Sequence, residues 1–274
     1  METDILLFGT MGTIARTVRT SLESHGLRVE NADFDQKVFR DEPGYRRELT
    51  KLIGEFNPEA VFPVGNPLAL SRFKPLMTEG IVAAVENEDK IKLLDHKVPF
   101  SCLMSVMGVR QPYIYSSVEE ADGHDVIFKR DVSFGGHGVH RPKNTDSLKN
   151  LIAHQPQGEP FLIEEYIDGD DFSVDAVRFD GFFKAASYKS IAATGGNGPS
   201  TLREAVNFPA LESIAKAIMD RVGWHGACGF DFKVDANGVP YILECNPRFT
   251  GGIETQISSG FDIPYLIWEH ISEF

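Results

Sequence analysis

Cysteine is scarce in this sequence. The chain has 3 cysteines, an odd number that stands at no spacing typical of a metal site. They are Cys102, Cys228 and Cys245. This pattern argues against a disulfide framework and against a zinc centre, because both need cysteines in sets. We therefore expect reduced thiols in a cytoplasmic protein.

Long apolar segments are absent as well. No uncharged apolar run approaches the roughly 20 residues that a membrane-spanning helix requires. The opening stretch METDILLFGT has no basic region ahead of its apolar residues and no cleavage signal. We find no internal repeat and no low-complexity stretch. These absences predict a protein that neither enters a membrane nor carries a secretion signal.

Positive charge is the third shortage. The net charge is -13 at pH 7, from 27 Lys and Arg against 40 Asp and Glu. A nucleic-acid backbone needs a basic face, so the balance argues against nucleic acid as the main partner, although a local basic cleft stays compatible with it. Hydrophobic residues at 42% and charged residues at 24% are ordinary for a globular protein. A chain of 274 residues suits one or two domains.

Strands and helices alternate over residues 1–95. The segments DILLF, LRVENAD and EAVFPVGN have strand patterns, and helical patterns separate them, which predicts a parallel sheet covered on both faces. The turn GTMGTIA fits a loose GxxGxxA spacing and not GxGxxG. A tight strand-to-helix turn is therefore favoured over a dinucleotide site. A nicotinamide dehydrogenase would depend on this turn alone.

A different organisation begins near residue 97. KVPFSCLMSVMG predicts a short helix, VIFKR and PFLIEEYI predict strands, and DFSVDAVRF with FFKAASYKS predicts an antiparallel pair. The Gly-rich stretch AATGGNGPST precedes the helix LESIAKAIMDRVG. The final strands GACGFDFKV and PYILECN are joined by DANG, a strong hairpin signal.

The hairpin has a geometry that can be worked out. A two-residue loop at Asn237-Gly238 places Val234 opposite Tyr241 and, in the same register, Asp231 opposite Glu244. Two facing carboxylates repel each other, and a divalent cation between them removes the repulsion. A four-residue loop would keep both acids on one face, whereas a three-residue loop without a bulge would not.

Side chains alternate along a strand, so Asn246 shares the face of Glu244 while Cys245 points away. Carboxylate and amide oxygens are ligands that Mg²⁺ prefers. A solvated acidic face is a poor alternative, because apolar residues crowd the same strands. These residues are Phe230, Phe232, Ile242 and Leu243.

Two further stretches carry possible nucleotide chemistry. In VIFKRDVSFGGHGV, Lys129 ends a strand and a loop with Gly135, Gly136 and Gly138 follows, whose N–H groups could hold phosphate oxygens. A flexible Gly-rich hairpin is the equal alternative. In LIEEYIDGDDFSVD, a strand breaks at Asp168-Gly169 and could offer backbone groups to a purine. Taken alone, this break is better explained as an acidic turn, just as Lys97 and Lys189 alone are surface lysines.

Taken in order, these motifs resemble the ATP-grasp superfamily over roughly residues 90–274. The matching features are Lys97, Lys129 before its Gly-rich loop, the hinge EEYIDGDDFSVD, and the terminal DFKVD and YILECNPRFTGG. The E-x-N-P-R stretch is similar to the branch with carbamoyl-phosphate synthetase-like and amino-acid ligase members. The resemblance implies a mixed α/β fold: an N-terminal parallel α/β domain (1–95), a small ATP-grasp subdomain (96–168) and a C-terminal subdomain with a metal site (169–274).

The resemblance also implies roles for single residues. Lys97, Lys129 and the loop glycines would bind phosphates, Glu164 and the backbone of Glu165 and Ile167 would read adenine, and Asp171 would bind ribose. Asp231, Glu244 and Asn246 would hold two Mg²⁺ ions, or Mn²⁺, with ATP. Arg248 would contact the γ-phosphate or an acyl phosphate, and Lys189 is a weaker γ-phosphate match. The family often has Asp before the first Lys and Pro after the second, where this chain has His96 and Arg130.

The reaction implied is the activation of a carboxylate as an acyl phosphate, followed by attack of an amine. TGGNGPSTLRE is interpreted as a lid, Arg203 within it either pairs with a substrate carboxylate or is a surface base at a helix start, and Thr250-Gly251-Gly252 could bind an anion. The alternatives are phosphate transfer to a hydroxyl or other acceptor, and a nucleotide-binding regulator without turnover. Small-molecule substrates and a homodimer, the latter by analogy only, complete the expectations.

Overall fold

The computed structural model describes residues 3–9, 12–32, 42–77, 79–133, 135–193 and 200–274. The strands are β1 Thr3–Phe8, β2 Val29–Ala32, β3 Pro58–Pro63, β4 Val82–Ala83, β5 Val126–Arg130, β6 Val139–His140, β7 Phe161–Glu165, β8 Gly169–Phe179, β9 Phe182–Ala193, β10 Ser200–Val206, β11 Gly226–Asp235 and β12 Pro240–Asn246. The helices are α1 Thr13–Ser24, α2 Glu42–Phe56, α3 Pro67–Phe73, α4 Glu88–Asp95, α5 Lys97–Met107, α6 Thr145–Ala153, α7 Pro209–Val222, α8 Ile253–Ser258 and α9 Ile263–Glu269.

The first sheet is parallel, as the alternation of strands and helices predicts. Its strand order is β2-β1-β3-β4. Helix α1 buries Val18 and Leu22 against this sheet, and Gly26 lies just past its end with φ +85°, a conformation that favours glycine. The short elements α3, β4 and α4 follow, and the sequence patterns did not predict them.

The other two sheets are antiparallel. One has the order β6-β5-β7, and the other has the order β10-β9-β8-β11-β12. The pairing of β8 with β9 and the helices α5 and α7 agree with the sequence prediction, and both helices end at a left-handed glycine, Gly108 or Gly223.

The parallel sheet is not a separate body. Leu6 and Val61 of that sheet share one hydrophobic cluster with Phe230 and Ile242 of the five-stranded sheet. Burying these side chains together ties the first strands to the last ones. The mixed α/β fold class is confirmed, whereas the boundaries 1–95, 96–168 and 169–274 stay a prediction.

The final hairpin corrects one expectation and keeps the important one. The amide of Asp235 donates to the carbonyl of Val239 at 3.0 Å, so the loop has three residues, with Gly238 left-handed at φ +77°. Val234 therefore faces Pro240, and the predicted partner was wrong. A register shift then occurs between Asp231 and Phe232. The longer loop shifts the pairing by one residue, and the bulge shifts it back by one. Asp231 therefore faces Glu244, as predicted.

Candidate functional site

A cavity of about 490 Å³ lies between the three-stranded and five-stranded sheets, within the volume range of small-molecule sites. It gathers most of the residues that the sequence singled out. These are Lys97, Lys129, Gly135, Gly136, Glu164, Glu165, Ile167, Asp171, Arg203, Asp231, Glu244, Asn246 and Arg248. Residues far apart in the chain thus converge on one concave surface.

The two facing acids form one wall of the cavity. Asp231 and Glu244 are cross-strand partners, and the amide nitrogen of Asn246 donates to Asp231 Oδ2 at 3.0 Å. Burial and the neighbouring charge of Glu244 raise the pKa of Asp231 to about 8. Burial alone would raise the pKa of Glu244 too, but Lys97 and other nearby cations bring it below its usual range.

This donor set fits a hard divalent cation. It offers four carboxylate oxygens and one amide oxygen on one face of two paired strands. Burial first, and then repulsion by Glu244, raises the pKa of Asp231, and a cation would relieve both penalties. Among the described residues, no three His, Cys, Asp or Glu side chains gather as metal ligands. The amide of Asn246 would therefore have to serve as the third protein ligand.

Two lysines reach the cavity from different elements. Lys97 is the first residue of α5, is 5% exposed, and places Nζ 3.2 Å from Glu244 Oε2. Lys129 lies on β5 and places Nζ 2.6 Å from Glu164 Oε2, with both side chains buried. Both lysines line the cavity, and each is paired with a carboxylate that lines it too.

The glycines after Lys129 have different tasks. Gly135 and Gly136 line the cavity in left-handed conformations, with φ of +61° and +79°. Gly138 does not line the cavity. A Cβ there would lie 2.5 Å from the Cβ of Ser133, so this glycine permits close packing of the loop on itself.

The hinge segment forms the opposite end of the cavity. The amide of Glu165 donates to the carbonyl of Tyr113 at 2.8 Å, which holds the end of β7 in place. Asp171 lies farther along, and its Oδ1 is 2.9 Å from Lys233 Nζ. Lys233 also donates to the carbonyl of Gly169 at 3.0 Å. Sequence reasoning missed Lys233, although it is two residues from Asp231 on the same strand face.

Arg203 lies on strand β10, which corrects the expectation of a helix start. The segment TGGNGPSTLRE is not all loop either, since its residues 200–204 belong to β10 and its residues 194–199 lie outside the described part of the chain. The guanidinium of Arg203 donates to Asp175 Oδ2 at 3.1 Å and to Ser173 Oγ at 2.8 Å. Asp175 is 1% exposed, and this burial raises its pKa.

The loop after β12 packs on this arginine. The hydroxyl of Thr250 donates to Asp175 Oδ1 at 2.9 Å. A Cβ at Gly252 would overlap the guanidinium of Arg203, and a Cβ at Gly229 would lie 2.3 Å from a methyl of Thr250. Both glycines therefore permit this close packing. Arg248 also lines the cavity, and its Nη1 lies 3.4 Å from Asp95 Oδ1.

Lys189 is not brought to the cavity. Its Nζ lies 2.6 Å from Asp170 Oδ2, and the side chains of Lys189 and Asp170 are 36% and 64% exposed. Its role as a γ-phosphate contact stays a prediction that this placement does not favour.

Sequence reasoning also missed Ser173 and Asp175. They follow Asp171 at alternate positions and pair across the sheet with Asp231 and Gly229. Simple strand alternation from Asp171 would have found both.

Cys245 lies away from the chemistry. It is 2% exposed in the core cluster that also contains Cys228, on the opposite strand face from Glu244 and Asn246. Burial raises the pKa of the Cys245 thiol well above its usual range, and the neighbouring Cys228 adds to the shift. The thiol is thus held protonated and unreactive.

Comparison with known sequences finds a family match in the C-terminal part of the chain. Residues 157–273 match the family model described as "ATP-grasp in the biosynthetic pathway with Ter operon". The carbamoyl phosphate synthase large chain of Thermomicrobium roseum is 22% identical over 210 residues, which cover 70% of this chain and 19% of that protein. This chain thus spans about a fifth of the length of the curated relatives it matches.

Solved structures agree on the fold. The biotin carboxylase domain of the Hydrogenobacter thermophilus 2-oxoglutarate carboxylase, solved as a dimer with MgADP and bicarbonate, matches with a TM-score of 0.78 at 19% identity, covering 100% of this chain and 70% of that one. The L-amino acid ligase of Bacillus licheniformis matches with a TM-score of 0.75 at 16% identity, covering 100% of this chain and 77% of that one. The predicted ATP-grasp resemblance is confirmed. Within the described residues, no helix is both long and apolar enough to cross a membrane.

Proposed function

We propose that this chain, which contains an ATP-grasp domain, is an ATP-dependent carboxylate–amine ligase. It would activate a small carboxylate, such as an amino acid or a natural-product precursor, as an acyl phosphate. An amine would then form the amide, with release of ADP and phosphate. The observation that carries the proposal is the facing pair Asp231 and Glu244, with Asn246 beside them and Lys97 on the same wall of one cavity.

We assign the following roles to the residues that line the cavity. Lys97, Lys129 and the N–H groups of Gly135 and Gly136 would bind phosphate oxygens, and Asp171 would bind ribose. Glu164 and the backbone of Glu165 and Ile167 would read adenine. Asp231, Glu244 and Asn246 would hold Mg²⁺, as two ions, with Mn²⁺ as the alternative metal. When bound, the metal would neutralise charge on the phosphates.

The first chemical step needs in-line positioning and charge neutralisation. A carboxylate oxygen of the substrate would attack the γ-phosphorus, and the bond to the β-phosphate oxygen would break, leaving ADP. Arg248 lines the cavity together with Asp231 and Glu244 and would contact the transferred phosphoryl group. Arg203 and the Thr250-Gly251-Gly252 segment, which line the same cavity, would bind the substrate carboxylate.

The second step transfers the acyl group. The amine nitrogen would attack the carbonyl carbon, the bond to the phosphate oxygen would break, and the amine would lose a proton. A protein nucleophile has no part in this sequence of bonds. The names of the neighbours support the reaction class, because one is a biotin carboxylase domain with MgADP and bicarbonate and another an L-amino acid ligase.

The test is a product screen on the whole chain. MgATP is offered with a panel of carboxylates and amines, ADP and phosphate release is measured, and products are weighed by mass spectrometry. Amide products support the ligase. A phosphorylated alcohol would support phosphate transfer to another acceptor, and nucleotide binding without turnover over the whole panel would leave a regulator as the function. We further infer a cytoplasmic protein and, by analogy with the dimeric neighbour, a homodimer that size-exclusion chromatography would detect.

A further inference from the structure

The buried carboxylate of Asp131 has no part in the proposed chemistry. It is 7% exposed and follows Lys129 by two residues, in the segment that leaves strand β5. Its own amide donates to the carbonyl of Pro160 at 3.1 Å, which fixes this segment to the start of β7. The carboxylate therefore projects from a held backbone, and its partners lie on another element.

Those partners are the first amides of helix α5. A helix leaves its first N–H groups without partners in the helix itself. The Lys97 amide donates to the Asp131 carbonyl at 3.1 Å, and the Val98 amide donates to Asp131 Oδ1 at 2.8 Å. The next residue, Pro99, has no N–H. Asp131 thus accepts from every backbone N–H group of the first three helical residues.

The N-cap residue of a helix commonly accepts these hydrogen bonds with its side chain, but the N-cap residue of α5 does not. His96 occupies the N-cap position and makes no capping hydrogen bond with its side chain. Its Nδ1 instead lies 3.1 Å from Asp131 Oδ2. The cap of α5 is therefore supplied by Asp131, a residue of the segment that follows β5. Asp131 thus supplies the carboxylate acceptor at this helix start, where His96 precedes Lys97.

The helix start matters because its first residue is Lys97. The Lys97 backbone is held by Asp131, and its side chain is 5% exposed with Nζ 3.2 Å from Glu244. Lys129 precedes Asp131 by two residues on a strand end. The segment 129–131 thus carries Lys129 and also holds the backbone from which the Lys97 side chain extends.

We propose that Asp131 is a positioning residue that sets the place of Lys97 relative to Lys129, and so tunes the affinity of the cavity for nucleotide phosphates. This inference rests on the proposed nucleotide site. Asp131 is not among the residues that line the cavity. Its effect on binding must therefore pass through Lys97, and removing Lys97 must make Asp131 irrelevant to binding.

The test measures MgADP binding to the full chain by isothermal titration calorimetry. We expect Lys97→Met to weaken binding about tenfold, since a hydrogen bond to a charged group is lost. Asp131→Ala should weaken it by a similar factor, whereas Asp131→Asn, which keeps an acceptor for the Val98 amide, should restore most of the affinity. The double variant Asp131→Ala with Lys97→Met should bind no more than about twofold more weakly than Lys97→Met alone.

A matched control separates positioning from general loss of stability. Asn144 caps α6 in the same part of the chain, through its own bond from the Ser147 amide, and does not line the cavity. Asn144→Ala should lower the melting temperature about as much as Asp131→Ala and leave MgADP affinity unchanged. If Asp131→Ala does not fold, Asp131→Ser, whose side chain is one bond shorter, replaces it in every measurement.

The outcomes are distinct. Additive losses in the double variant, unchanged affinity in Asp131→Ala, or an equal loss of affinity in Asn144→Ala would each overturn the positioning role while leaving the ATP site standing. A wild-type protein that binds no MgADP would overturn the proposed function itself.

Discussion

Two clusters of residues that line the cavity, a metal end and an arginine end, hold their cations through different contacts. At the metal end, formed by Lys97, Asp231, Glu244 and Asn246, the lysine contacts a carboxylate that would also ligand a metal ion. At the arginine end, formed by Ser173, Asp175, Arg203 and Thr250, the arginine contacts a carboxylate that has no other proposed task. The ion pair between Lys97 and Glu244 would have to break when a metal ion and a nucleotide bind, whereas the ion pair between Arg203 and Asp175 would be kept.

The surroundings of each pair fit this difference. Lys97 has a flexible stem and can turn its ammonium from Glu244 to a phosphate. Arg203 is held by several hydrogen bonds and by the close approach of Gly252, so its direction is fixed. A fixed donor suits the recognition of a substrate, and an exchangeable one suits the entry of a charged metal–nucleotide complex.

The largest effect should come from breaking the metal end. Glu244→Gln keeps the shape of the side chain and removes its charge. We expect turnover to fall by about 1,000-fold, because charge stabilisation at the transferred phosphate is lost. The circular dichroism spectrum should be unchanged. Steady-state phosphate release on the substrate pair found in the screen measures this, and wild-type turnover in the folded variant would contradict the metal assignment.

Breaking the arginine end should act on stability first. Asp175→Asn leaves the charge of Arg203 buried without its partner, and we expect a loss of about 3 kcal/mol in the free energy of unfolding. Urea denaturation measures it.

The pair of Asp170 and Lys189 provides the matched control, because its side chains are 64% and 36% exposed, whereas those of Asp175 and Arg203 are 2% and 10% exposed. Asp170→Asn should cost about 0.5 kcal/mol or less. Equal losses in the Asp175 and Asp170 variants would mean that the arginine end is no more fixed than the surface.

The ionisation of Asp231 distinguishes the ends by pH. Its pKa is raised from 3.8 to about 8 in the folded chain, so the folded state keeps a proton that the unfolded state loses. This contribution to stability is present below pH 4 and is lost as pH rises towards about 8. In the presence of EDTA, the free energy of unfolding should therefore fall more steeply over this window in wild type than in Asp231→Asn. Glu244, whose pKa is lowered, acts at lower pH. Parallel curves for wild type and the variant would contradict the raised pKa of Asp231.

The sequence predicts the metal end better than the arginine end, for a physical reason. Glu244 and Asn246 share a face through strand alternation, which needs only their spacing. The facing of Asp231 and Glu244 was predicted from a two-residue loop, and it holds because a bulge compensates for a three-residue loop. No pattern in DANG reveals that bulge.

The partners of Arg203 depend on the register of three strands that no local signal fixes. Asp175 meets Arg203 only because β8 and β10 flank β9 in the sheet. The cap of α5 by Asp131 is equally remote, since it joins residues 33 positions apart in the chain. Local periodicity can place a side chain on a face, but it cannot choose the neighbour across a tertiary contact.

The smallest effect should come from the residue that separates the two proposed ligands in sequence. Cys245 lies between Glu244 and Asn246 but faces the core beside Cys228. Cys245→Ala removes a buried sulfur and should cost about 1 kcal/mol of stability through the small cavity it leaves. Turnover should stay within about twofold of wild type, because the alternation of the strand keeps this side chain away from the phosphates. Phosphate release and urea denaturation measure the two effects. A large loss of turnover in the folded variant would mean that Cys245 shares the face of its neighbours, and the metal end would then have to be rebuilt from a different register.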